Sequence, residues 1–209
     1  MIQAIIFDLD SCLAAADEVG QHLFAPAFAA IRAANNGGVA EEKLEEAFRE
    51  CWRVAFDAVA EKYGFKEAMR SAGWREFRRI EVTTPMRGYG DLAVVKELPP
   101  QKFLVTSGFR RLQESKVRAL GCAGWFAAIH IDAIDEPDRR GKKVIFLEII
   151  SKHQLRPDDV LVVGDNPDSE IAAGNELGMR TIQILRPGVP RSECAGHHIC
   201  GLTELKELL

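Results

Sequence analysis

The chain has 209 residues, 47% hydrophobic and 28% charged, with a formal net charge of −4. That length and composition suit one sizeable globular domain, or a core domain carrying a smaller insertion, and the absence of a basic stripe argues against nucleic acid as a partner. No stretch reaches the ~18 apolar residues of a membrane span, no basic region precedes the first apolar run as in a signal peptide, and five scattered cysteines (Cys12, Cys51, Cys122, Cys194, Cys200) favour a reducing cytoplasm over a disulfide framework.

The first element is the apolar run "AIIF" (4–7), read as a buried strand, which leads directly into Asp8, Leu9 and Asp10. Residues i and i+2 of a strand share a side, so the two carboxylates can converge where the chain leaves the sheet. In open α/β sheets that edge, beyond the carboxyl ends of the strands, is where ligands bind.

Segment 14–88 has a different character. A helix is expected near 26–34, with Pro26 in its first turn, followed by a turn at "NNGG" (35–38). The stretch 41–63 carries Leu44, Phe48, Cys51, Trp52, Ala55, Val59 and Tyr63 at helical spacing and reads as one amphipathic helix stopped by Gly64. No strand is expected before about residue 80. A helical insertion therefore interrupts the domain just after its first strand.

From about residue 90 onward, buried strands at "KFLVTS" (102–107), "AAIHID" (127–132), "DVLVVGD" (159–165) and "RTIQIL" (180–185) alternate with helices near 109–120, 142–154 and 168–177. A short strand at "HHIC" and a closing helix in "LTELKELL" complete the pattern of an α/β protein with a parallel sheet covered on both faces. Thr106 and Ser107 stand at the end of the second core strand, before a glycine and a helix, where hydroxyls and free amides suit phosphate. Lys142 and Lys143 open a helix. Cations are mildly unfavourable at that end of the dipole, so the placement makes sense if one of them reaches an anion. "GDNPDSE" (164–170) follows another buried strand and brings Asp165 to the same sheet edge as Asp8, with Asp168 as the expected cap of the next helix. Acids gathered there repel one another unless a hard cation joins them, and Mg²⁺ suits such a donor set.

These four pieces, "DLDSC", "TS", "GK" and "GDNPDSE", occur in order at successive strand ends, and with them the chain resembles the haloacid dehalogenase (HAD) superfamily of phosphohydrolases over almost its whole length. The resemblance implies a Rossmann-like parallel sheet of order 5-4-1-2-3, built from residues 1–13 and 89–209, with 14–88 as an inserted helical cap of the C1 type. It implies Asp8 as nucleophile and Asp10 as general acid/base. Thr106, Ser107 and Lys142 become phosphoryl contacts, and Asp8, Asp10 and Asp165 the ligands of Mg²⁺. The implied reaction is hydrolysis of a small phosphorylated metabolite through an aspartyl-phosphate, in a cytoplasmic monomer or homodimer. A phosphomutase, a metal-independent 2-haloacid dehalogenase and a binding module with a weakened site are the rival readings.

The chain departs from the family pattern at three points. The usual "DLDGT" is "DLDSC", so Cys12 lacks the hydroxyl expected to support the Asp8 loop. Lys143 stands where proline usually follows the lysine. The last acid of the fourth motif is Glu170, whose longer arm suits a place behind the metal rather than on it. "CAGHHIC" (194–200) lacks regular zinc spacing. Trp52 and Trp74 read as helical-segment core. Arg53, Arg75, Arg78 and Arg79 are candidate contacts for an anionic substrate, but most read as solvated surface charges.

Overall fold

Ala4–Phe7 forms strand β1, and every one of its residues is buried. Its side chains alternate between two apolar layers. Ile5 and Phe7 pack with Leu104, Leu161, Val163 and Ile182 on one face, while Ala4 and Ile6 pack with Phe103, Val105, Phe146 and Val162 on the other. A strand buried on both faces reads as an unbroken apolar run, which is why the helices must cover both sides.

The structure, a computed structural model, describes residues 1–209. After β1 come the helices α1 (Ala25–Ala33), α2 (Glu41–Glu50), α3 (Phe56–Lys62), α4 (Glu67–Phe77) and the short α5 (Val94–Glu97). Then follow β2 (Gln101–Gly108), α6 (Arg110–Leu120), β3 (Ala128–Ala133), α7 (Gly141–Lys152), β4 (Val160–Gly164), α8 (Ala172–Glu176), β5 (Arg180–Ile184), β6 (His197–Ile199) and α9 (Leu205–Leu208). The six strands form one sheet ordered β3-β2-β1-β4-β5-β6, and all neighbours are parallel. This is the expected five-strand order with β6 added at the edge. No helix is long and apolar enough to cross a membrane.

Register sets the site. Phe7 pairs with Leu104 on one side and Val163 on the other, so Asp8, Thr106 and Asp165 leave the sheet at one edge within about two residues of each other.

The helical segment packs around its own core, including Ile31, Leu44, Phe48, Phe56, Met69 and Phe77. Aromatic rings dominate it. Trp52 stacks on Phe24 at 4.1 Å, and Phe28 on Phe48 at 4.3 Å. Phe109, at the end of β2, stacks on Phe77 at 5.4 Å and so joins this core to the sheet. Helices α1 and α4 approach closely because Gly73 has no side chain. A Cβ there would lie 2.4 Å from Phe56 and 2.9 Å from Ile31. Trp52 and Trp74 pack against this core, as expected.

Two expectations need correction. The single helix over 41–63 is two helices, α2 and α3, separated by a turn at 51–55. Tertiary packing overrides the periodicity: Trp52 turns onto Phe24, and Phe56 enters the core beside Phe65 and Phe77. Glu50 then clamps the fold-back, accepting from Lys62 at 2.8 Å and Tyr63 at 2.9 Å. Asp168 does not cap the helix after β4. That role falls to Asn166, whose side chain accepts from the Asp168 amide at 2.9 Å, leaving Asp168 exposed. The helix itself opens with a wide π turn over Pro167–Ile171. Helix α4, with Gly73 in its middle, had no signal strong enough to be read.

Candidate active site

A cleft of about 520 Å³ lies between the carboxyl edge of the sheet and the helical segment. Asp8, Asp10, Thr106, Ser107, Lys142 and Asp165 all line it, together with Glu170. The turn at 51–55 forms part of its roof.

Asp8, Asp165 and Glu170 are buried, and each offers a carboxylate oxygen within 4.8 Å of the others. Lys142 bridges two of them, donating to Asp8 Oδ1 at 2.7 Å and Glu170 Oε2 at 2.8 Å. Lys143 points elsewhere, pairing with Glu176 on the surface at 2.7 Å. The strain of an unfavourable helix end is thus offset by two buried anions. Glu170 stands within the acid group. The π turn swings it inward, where its Oε1 accepts the Asn166 amide at 2.7 Å. Gly164 makes the room, since a Cβ there would lie 2.3 Å from Glu170 Oε1.

The electrostatics of this group are unbalanced. Burial pushes Asp8 up to about 8; Lys142 opposes this, and Glu170 and Asp165 add to it. Burial also raises Asp165 to about 6, with Glu170 adding and Arg53 opposing. Lys142 is held well above its ordinary value, because Asp8 and Glu170 outweigh the cost of its burial. Three close acids with too little positive charge are what a hard divalent cation relieves, and carboxylate oxygens are the donors such a cation takes. The residues fit a divalent cation. They are also the only group of three or more His, Cys, Asp or Glu side chains that gathers in this way, so the cysteines and histidines of "CAGHHIC" do not.

The Asp10 carboxylate, expected among the metal ligands, faces away from the buried acids. It turns toward α6, accepting from Lys116 Nζ at 2.7 Å and Gln113 Nε2 at 2.9 Å. The physical reason is the buried lysine: Lys116 needs an anion, and Asp10 is the one it reaches. Gln113 also reaches Thr106 Oγ1 at 2.7 Å and the Ser107 carbonyl at 3.1 Å, tying the second motif to the first. Ser107 turns from the cleft centre and donates to Asp132 Oδ2 at 3.0 Å. Asp132 in turn accepts the Gly141 amide and Arg139, fixing the start of α7.

Gln113 and Lys116 escaped the sequence reading, and Arg53, weighed there between an anion contact and a solvated charge, pairs with Asp165. A polar residue facing inward from an amphipathic helix was the available signal for the first two. The loop after β1 also has an unforeseen support. Cys12 carries no hydroxyl, yet its carbonyl accepts from Arg186 Nε at 3.1 Å and Nη2 at 3.0 Å. Arg186 is itself locked by Asp91 at 2.7 and 2.9 Å and lies over the Tyr89 ring at 4.0 Å.

The family model for haloacid dehalogenase-like hydrolases matches residues 2–178. The chain is 29% identical over 154 residues to phosphoserine phosphatase of Thermus thermophilus, a match covering 69% of this chain and 59% of that protein. It is 26% identical over 210 residues to glyceraldehyde 3-phosphate phosphatase of Methanopyrus kandleri, covering 89% and 85%. A solved structure of a HAD phosphatase from Thermococcus onnurineus shares its fold with a TM-score of 0.65 at 18% identity, covering 99% of this chain and 97% of that one. The chain spans about three fifths of the phosphoserine phosphatase it matches, and with the family model spanning most of its length it belongs to the haloacid dehalogenase-like hydrolase family.

Proposed function

We propose that the protein is a Mg²⁺-dependent phosphomonoesterase acting on a small phosphorylated metabolite, with segment 14–88 as the cap over its cleft. The observation that carries this reading is the buried group of Asp8, Asp165 and Glu170 around Lys142. The phosphatase names of its relatives support it.

Asp8, Asp165 and Glu170 would hold the cation, which screens the repulsion between an attacking carboxylate and a phosphate dianion. An Asp8 oxygen attacks phosphorus in line, forming an O–P bond while the bond to the leaving oxygen breaks. Asp10 gives its proton to the leaving alkoxide and later takes one from the water that cleaves the aspartyl-phosphate. Thr106 and Lys142 hold the phosphoryl oxygens, since positioning and charge stabilisation do most of the work in such transfers. Gln113 and Lys116 keep the Asp10 carboxylate aimed. Ser107 acts through Asp132 on the start of α7.

The test is phosphate release from p-nitrophenyl phosphate with Mg²⁺ and with excess EDTA. Turnover that requires the metal is expected. Metal-independent release of chloride from 2-chloropropionate, without phosphate release, would replace this reading with dehalogenation.

A further inference from the structure

Arg53 sits on the turn between α2 and α3 and reaches across the cleft. Its Nη2 donates to Asp165 Oδ2 at 3.1 Å and its Nη1 to the Gly188 carbonyl at 3.2 Å. The five basic residues that line the cleft are Arg53, Lys62, Lys116, Arg139 and Lys142. Lys62 pairs with Glu50, Lys116 with Asp10, and Arg139 with Asp132 and Asp57. Lys142 bridges Asp8 and Glu170 from within the buried group. Arg53 alone is a partly exposed cation whose only carboxylate belongs to the acids that would hold the metal.

The geometry points to competition. We infer that a divalent cation takes Asp165 from Arg53, and that the freed guanidinium binds a second anionic group on the substrate. This rests on the phosphatase reading above and narrows it to phosphomonoesters that also carry a carboxylate or a second phosphate. Two cations on one carboxylate repel each other, and the cation with more oxygen ligands on offer keeps it. Arg53 then retains one carbonyl, at the mouth of a cleft whose other surface cations are already paired. A planar guanidinium recognises oxyanions through two parallel hydrogen bonds, which makes it selective for charged substrates.

Two measurements test it with the intact protein. Calorimetric titration with MgCl₂ alone should give Arg53→Met a several-fold tighter affinity than wild type, because no guanidinium has to be displaced. An equal or weaker affinity overturns the competition. Kinetics on matched pairs (3-phosphoglycerate with glycerol 3-phosphate, fructose 1,6-bisphosphate with fructose 6-phosphate) should show wild type favouring a doubly anionic member. Arg53→Met should reduce that preference roughly tenfold, mainly through KM, with partial recovery in Arg53→Lys. The pair that responds distinguishes carboxylate from phosphate. Equal losses on both members of each pair overturn the substrate class. Mg²⁺-dependent release by wild type from p-nitrophenyl phosphate but from none of the four compounds overturns the substrate class, whereas no release from p-nitrophenyl phosphate either overturns the phosphatase reading itself.

Discussion

Asp8 and Asp10 are two residues apart and line one cleft, yet their surroundings are opposite. Asp8 shares a single lysine with Glu170 and lies against Asp165, so burial and like charge hold it up to about 8. Asp10 has a lysine to itself and shares the Gln113 amide with Thr106 and Ser107, and its carboxylate is partly open to the cleft. The difference teaches how one short motif can supply two roles. On the proposed reading, the acid in the crowded group serves as nucleophile once a cation balances it, whereas the acid beside Lys116 is held by its own neighbours.

The largest expected effect comes from breaking the Asp8 side. Asp8→Asn should lower kcat on p-nitrophenyl phosphate by about 10⁴-fold or more with the circular dichroism spectrum unchanged. Asp10→Asn should cost less, about 10²-fold to 10³-fold, as expected of a general acid/base. Equal losses would erase the distinction between the two acids. Next comes Lys116→Met, which leaves Asp10 only Gln113. It should lower kcat about tenfold with little change in KM. It should also destabilise the protein by on the order of 2 kcal/mol in urea unfolding, less than for a fully buried pair because Asp10 is partly exposed.

The smallest effect concerns pH and the metal-free protein. Asp8 and Asp165 keep their protons to about 8 and about 6, against an ordinary 3.8. Between those values the native state binds more protons than the unfolded chain, so these two acids make stability fall as pH rises. Asp165→Asn removes one of them. Its Tm without metal should therefore gain several degrees on wild type between pH 4 and pH 7. Parallel Tm curves would show that the crowding around Asp8 is not what the geometry implies.

Much of the sheet was legible because its signals are local. Apolar runs ending in Asp8, Thr106 and Asp165 gave the strands and the edge where they meet, whereas their order came only from the family resemblance. Lys142 was legible through its awkward place at a helix start. What escaped depends on contacts distant in sequence. The break at 51–55 comes from Trp52 meeting Phe24, a preference stronger than the helical repeat that spans it. Glu170 reaches the acid group through a π turn that no spacing rule anticipates. The support of Cys12 by Arg186 joins the two ends of the chain, so the missing hydroxyl could be seen in the sequence but its replacement could not.

The stacking of Phe109 on Phe77 has a mechanical consequence. Phe109 is also the residue from which α6 begins, and one turn later the same helix presents Gln113 and then Lys116 to Asp10. The aromatic roof and the Asp10 carboxylate are therefore braced by one helix, the first through the residue that opens it and the second through Gln113 and Lys116.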